Sequence, residues 1–183
     1  MTPDSLVIPA AVVALAFLAW VLLRLVRLTR QGDFIRAAHL ASASTALWGL
    51  GLLLATLGGR PQDSLGRIWF NWVPFATQTA ANDTEIVMNF LLFVPAGLLL
   101  PWIARHATRQ RVIVLALGAA AMLSSVIEVL QTFTPLGTAG DITDILSNTI
   151  GCTIAAAISS IVHHWLVSQQ LTRSAPEARQ LQS

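Results

Sequence analysis

Five apolar stretches, at residues 6–23, 37–57, 86–104, 112–130 and 145–162, occupy most of this 183-residue chain. Crossing the hydrocarbon of a bilayer as a helix takes roughly 20 apolar residues, and each stretch meets or approaches that length. A backbone inside hydrocarbon must satisfy its own hydrogen bonds, and unbroken runs of this kind do so as helices. Hydrophobic residues make up 55% of the chain and charged residues 11%, so a water-soluble surface cannot be assembled from it. The loops are too short for a soluble domain of ordinary size. These features predict an all-α, polytopic membrane helical bundle of about five transmembrane helices, with residues 1–183 forming a single integral membrane domain.

All eleven basic residues are arginines, and they cluster beside the apolar stretches. Arg24, Arg27, Arg30 and Arg36 separate the first two, Arg105, Arg109 and Arg111 separate the third and fourth, and Arg173 and Arg179 follow the fifth. Only Arg60 and Arg67 fall on the other side, in the 58–85 loop. By the positive-inside rule this asymmetry predicts an N-terminus outside and a cytoplasmic C-terminus. The basic pI therefore reports topology, and nucleic acid is not an expected partner. The first stretch has no basic leader and its arginines follow it, so it reads as an uncleaved anchor. Trp20, Trp102 and Trp165 near the inner ends, with Trp69 and Trp72 outside, suggest interfacial belts. The polar residues 169–183 predict an unpacked cytoplasmic tail. Pro74 in the string WFNWVPF predicts a short interfacial segment or re-entrant hook in place of a sixth span.

The hydrophilic residues within the apolar stretches gather at one end. Asn89 opens the third, Glu128 and Gln131 close the fourth, and Asp141, Asp144 and Asn148 open the fifth. Helical spacings of three, four and seven share a face. Asp141, Asp144, Asn148, Gly151 and Ala155 thus form one stripe, and Gly118, Ala121, Ser125, Glu128 and Gln131 another. Small residues allow close helix approach and polar ones hydrogen-bond across helices in lipid, so the two stripes are expected to face each other. Competing explanations exist for each group. Glu128 stands near enough to its span's end to reach water by snorkelling, Asp141 and Asp144 suit a helix N-cap and first turn, and lone amides act as interhelical glue. Pro95, Gly97 and Pro101 serve to kink the third span or to pack it. His39, His106, His163 and His164 sit opposite the acids and read as interfacial residues, so no metal site and no cofactor is expected. Cys152 is the lone cysteine, which excludes an internal disulfide. No nucleophile has a base at a recognisable spacing, so the residues lend an enzymatic reading no support.

These residues resemble the VanZ-like family of bacterial membrane proteins. The resemblance covers residues 71–162 and rests on four ordered blocks: NWVPF, NFLLFVPAGLLLP, SSVIEVLQTF and DITDILSNTIG. It matches Asn71, Pro74 and Phe75 in the loop, then Asn89, Phe93, Pro95 and Gly97, then Glu128 and Gln131, and finally Asp141, Asp144, Asn148 and Gly151. Upstream of Asp141, where relatives carry an arginine, this chain has PLGTAG, so a salt bridge to the cluster is not expected. The family takes its name from a protein associated with resistance to the glycopeptide antibiotic teicoplanin. The resemblance implies a multi-pass protein of the bacterial plasma membrane.

Three functional readings follow. In the first, Asn71, Asn89, Glu128, Gln131, Asp141, Asp144 and Asn148 form an outer-leaflet acid and amide cleft. It would bind membrane lipids, a lipid-linked cell-wall precursor or a lipoglycopeptide, and modulate glycopeptide susceptibility. The second is a membrane-embedded enzyme acting on a lipid headgroup, with Glu128 or Asp144 as base. In the third, the polar stripes only hold the helices together.

Overall fold

The computed structural model describes residues 4–57, 70–75, 80–133 and 140–180. Five helices make up nearly all of it: α1 (Asp4–Arg30), α2 (Phe34–Leu57), α3 (Ala80–Ile103), α4 (Arg109–Phe133) and α5 (Ile142–Gln180). Each contains a segment long and apolar enough to cross a membrane: Pro9–Arg30, Phe34–Leu54, Asp83–Ile103, Arg109–Leu130 and Ile142–Thr172. Two short strands, β1 (Phe70–Asn71) and β2 (Gly140–Asp141), pair in parallel, Phe70 opposite Gly140 and Asn71 opposite Asp141.

α1 keeps Arg24 and Arg27 within its last turns and ends at a glycine cap. Gly32 takes φ +76°, and the amides of Gly32 and Asp33 donate to the carbonyls of Thr29 and Leu28. This closes the exposed C-terminal carbonyls in a Schellman arrangement that only glycine enters without strain. Asp33 then serves as the N-cap of α2, accepting from the Arg36 amide at 3.1 Å. The α1–α2 corner is therefore tight. At the other end of the chain α5 remains helical to Gln180, past residue 169, where composition suggested an unpacked tail.

α5 is the central post, touching α1, α3 and α4, and its broadest interface is with α3. Glycines set that seam. A Cβ on Gly151 would overlap the Phe90 carbonyl oxygen of α3, and one on Gly97 would overlap the Cys152 carbonyl oxygen of α5. Gly151 and Ala155 therefore face α3, while Asp141 and Asn148 of the expected α5 stripe hydrogen-bond to α4. The α4 stripe is also rotated from expectation. Ala116, Ala120, Ser124 and Glu128 are buried, whereas Gly118 is exposed with open space beside it. Both candidate stripes carry small residues and both contain Glu128, so composition alone could not separate them.

The prolines of α3 act as fastening points. Pro95 and Pro101 lie inside the helix, and the carbonyls three residues before them accept side-chain donors from neighbouring helices. Trp48 Nε1 of α2 donates to the Leu92 oxygen at 2.9 Å, and Ser159 Oγ of α5 donates to the Leu98 oxygen at 2.6 Å. Proline deprives the carbonyl four residues back, that of Leu91 or Gly97, of its helical donor, and the adjacent helices bond the carbonyl next to it in the same turn. Hydroxyls elsewhere in α5 bond their own helix: Ser147, Thr149, Thr153 and Ser160 each donate to the carbonyl four residues back. This is how a helix carries hydroxyls through lipid without stranding a donor.

Trp102 departs from the belt expectation. It is 3% exposed and donates from Nε1 to Thr29 Oγ1 at 3.0 Å, linking α3 to α1. His163 is likewise buried, edge-on to Trp102. Trp20 and Trp165 are about half exposed, as a lipid-facing belt requires.

Replacing Gly151 by valine should force α3 and α5 apart and cost about 1–3 kcal/mol, lowering the thermal midpoint in detergent. Gly118→Ala, facing open space, should leave the midpoint unchanged.

Candidate functional site

The site sits where α4 ends, α5 begins and the 70–75 segment crosses over both. Its centre is Glu128, 3% exposed. A carboxylate removed from water needs strong hydrogen bonds, and Glu128 Oε2 accepts the Asp141 amide at 3.0 Å. Burial beneath β2 thus removes the competing explanation in which Glu128 snorkels to water. In an ordinary capping box the third helical residue reaches back to the N-cap amide. Here the same task is done by a carboxylate from the neighbouring helix.

Asp141 is the N-cap of α5, as its spacing suggested. Its Oδ1 accepts the Thr143 amide at 2.7 Å, a bond typically worth about 0.5–2 kcal/mol. Oδ2 accepts from Asn71 Nδ2 at 3.0 Å, so one carboxylate caps a helix and grips the crossing segment. Asn71 Oδ1 in turn accepts the Val73 amide at 3.2 Å, bending the chain back in an Asx-type turn. Phe75, at φ +57°, presents its amide to Thr143 Oγ1 at 3.1 Å. The result is a hook over 70–75 held by backbone pairing and by two side-chain bonds.

Gly140 makes the crossing possible. A Cβ there would stand 2.5 Å from both the Phe70 ring and Thr132 Oγ1, too close for any other residue. Thr132 is itself fixed by donating to the Glu128 carbonyl at 2.7 Å. Asn148 lies about 10 Å farther along α5 at 1.5 Å per residue. Its Nδ2 donates to Ser124 Oγ on α4 at 2.8 Å, and its Oδ1 is buried with no hydrogen-bond partner. Exchanging the amide's oxygen and nitrogen reverses the Ser124 bond but still strands one arm.

Of the seven expected residues, Asn71, Glu128 and Asp141 form one continuous hydrogen-bonded group. Asn148 stands deeper in the same α4–α5 interface, and Asp144 occupies the first turn of α5. Asn89 is half-buried in α3, and its side chain makes no hydrogen bond to the described residues. The Gln131 side chain lies outside the described residues, as do 134–139. Four contributors escaped notice in the sequence: Ser124, Thr132, Gly140 and Thr143. A glycine immediately before an N-cap aspartate, with a threonine two residues beyond, was the available signal for the last two. No group of three or more His, Cys, Asp or Glu is placed to hold a metal among the described residues.

Glu128→Ala strands the Asp141 amide and should destabilise the protein by about 1–3 kcal/mol. Glu128→Gln keeps an acceptor oxygen and should retain most of that stability. Thermal unfolding in detergent separates the two, and equal losses would show that the hydrogen bond is not what matters.

The sequence model of the VanZ/LLP1 family matches residues 12–163. That is wider than the 71–162 span carried by the four motifs, and it takes in the first helix, which the motif blocks left outside. No curated protein and no solved structure matches the chain. With the family pattern covering most of its length and five helices fit to cross a membrane, the chain belongs to the VanZ/LLP1 family of multi-pass membrane proteins.

Proposed function

We propose that the protein works in the bacterial plasma membrane by holding the headgroup of an amphipathic envelope ligand at its acid-bearing end. The ligand class is a lipid-linked cell-wall precursor or a lipoglycopeptide such as teicoplanin, and its capture modulates glycopeptide susceptibility. The arginine distribution supports placing this end outside.

The carrying observation is the unpartnered Oδ1 of Asn148, a residue 4% exposed, beneath the Glu128–Asp141 group. An unsatisfied buried polar group costs about 1–3 kcal/mol. A hydroxyl or ammonium donor from a ligand would remove that cost, and the apolar walls of the bundle would accept its chain. The hook carries exposed Trp72, Val73 and Phe75, which suit contact with the acyl or aromatic part of such a ligand.

A structural role is the second reading, favoured by how completely Asn71, Asp141 and Glu128 satisfy one another. Hydrolytic chemistry draws less support, because Glu128 is buried and already accepts an amide, which is poor preparation for a general base.

Asn148→Leu separates the first two readings. Removing the stranded oxygen offsets the loss of the Ser124 bond and should leave stability near neutral, while lipids retained by the protein purified from native membranes should fall roughly tenfold by mass spectrometry. Unchanged lipid retention would sink the binding proposal, and a large loss of stability would favour the structural one. Sidedness has its own check. In a Cys152→Ala background, Val73→Cys should react with a membrane-impermeant maleimide on intact cells, and Gln110→Cys should not.

A further inference from the structure

At the opposite end of the bundle the α1–α2 corner, the end of α3 and the last turns of the α5 span border an open cavity of about 440 Å³. Its polar wall is made by Arg105, His106, His163 and the start of α2 at Phe34 and Ile35, and its apolar wall by Val167 and Leu171. Three features give it an anionic preference.

The first is an uncommitted cation. Arg105 Nε donates to His106 Nε2 at 3.1 Å, and the guanidinium makes no ion pair with the described residues. Among the described residues Asp33 is the one acid lining the cavity, and its carboxylate is taken up by Arg36, with Nε at 3.3 Å and the backbone amide at 3.1 Å. Phe34 and Ile35, at the first helical positions of α2, present amides that have no partner within their helix, at the positive end of its dipole. The independent observation is His163. It is 3% exposed and lines the cavity, and its contacts among the described residues are ring contacts with Trp102 and His164, with no hydrogen bond. His163, buried and without a hydrogen bond to the described residues, lines the same cavity as the Arg105 guanidinium, and the two can offer N–H donors to an oxyanion.

We infer that this cavity binds the phosphodiester headgroup of an anionic phospholipid from the leaflet at the arginine-bearing end. Arg105 and His163 hold the phosphate, the α2 amides donate to its remaining oxygens, and the acyl chains leave along Ile35, Val167 and Leu171. The volume falls within the usual range for small-molecule sites, roughly 300–1,000 Å³, which accommodates a glycerophosphate group and not merely a bare ion. Basic pockets between transmembrane helices are a recurrent way to select anionic lipids. The site is separate from the acid-bearing end, so neither proposal depends on the other.

The full-length protein, delipidated and reconstituted in nanodiscs of phosphatidylcholine doped with phosphatidylglycerol, tests this by native mass spectrometry of the lipid retained. Wild type should keep phosphatidylglycerol in preference to phosphatidylcholine. Arg105→Gln should reduce that preference about tenfold or more, the scale of one charged hydrogen bond. Arg111→Gln removes the same charge from an exposed position outside the cavity and should leave the preference intact. His163→Phe keeps a ring against Trp102 while removing the nitrogens, so it should also lose preference, and it decides the matter if the Arg105 variant fails to fold. Equal losses in the Arg105 and Arg111 variants would overturn the inference, as would an unchanged preference in His163→Phe. Glycerol 3-phosphate displacing the lipid at equal affinity would make this a soluble phosphoester site and overturn the lipid assignment.

Discussion

A carboxylate sealed among apolar helices must be given hydrogen bonds from within the protein, and Glu128 obtains one from the first amide of the α5 cap. The arrangement at this end follows from that demand. The amide belongs to Asp141, whose own carboxylate closes the N-terminus of α5 and binds Asn71. The hook at 70–75 is thereby tied to two transmembrane helices at once. Asp141 joins the other two, its backbone amide to Glu128 and its carboxylate to Asn71, so loss of either partner leaves a partly buried group of Asp141 unpaired.

The helices beneath hold that unit in register. Gly97 and Gly151 let α3 and α5 touch backbone to backbone, which fixes the height of Asp141 relative to the neighbouring spans. The two α3 prolines add cross-links at defined levels through Trp48 and Ser159. The 31-residue span of α5 is about 47 Å long at 1.5 Å per residue. That exceeds a hydrocarbon core of roughly 30 Å, so α5 reaches from the acid group at one surface into the arginine-bearing region at the other. The bundle is chemically polar along its axis, with carboxylates and amides at one end and guanidinium and imidazole groups at the other.

Much of this was legible in the residues. Apolar run length alone placed all five spans, because hydrocarbon leaves a backbone few choices. Asp141 at a helix start, and the convergence of Glu128 with Asn71, followed from spacing and from the family motifs. Rotations about the helix axes were harder to read. The α4 face pairs Ser124 and not Ser125 with Asn148, a shift of one residue that no hydropathy pattern in an all-apolar helix can fix, since lipid and protein interior favour the same side chains. Trp102 and His163 escaped for a related reason: each looks amphipathic and interfacial, yet each is buried at a junction of helices. Gly140 mattered through a backbone approach across 70 residues, which local sequence does not reveal.

Residue-resolved hydrogen exchange at Asp141 addresses the central claim most directly, because that amide is the one Glu128 holds. If the buried carboxylate organises the site, the Asp141 amide in wild-type protein exchanges as slowly as amides within the transmembrane helices, and Glu128→Ala speeds it to the rate of an exposed loop. Loop-like exchange in the wild type, or protection that survives the loss of the carboxylate, would contradict the account.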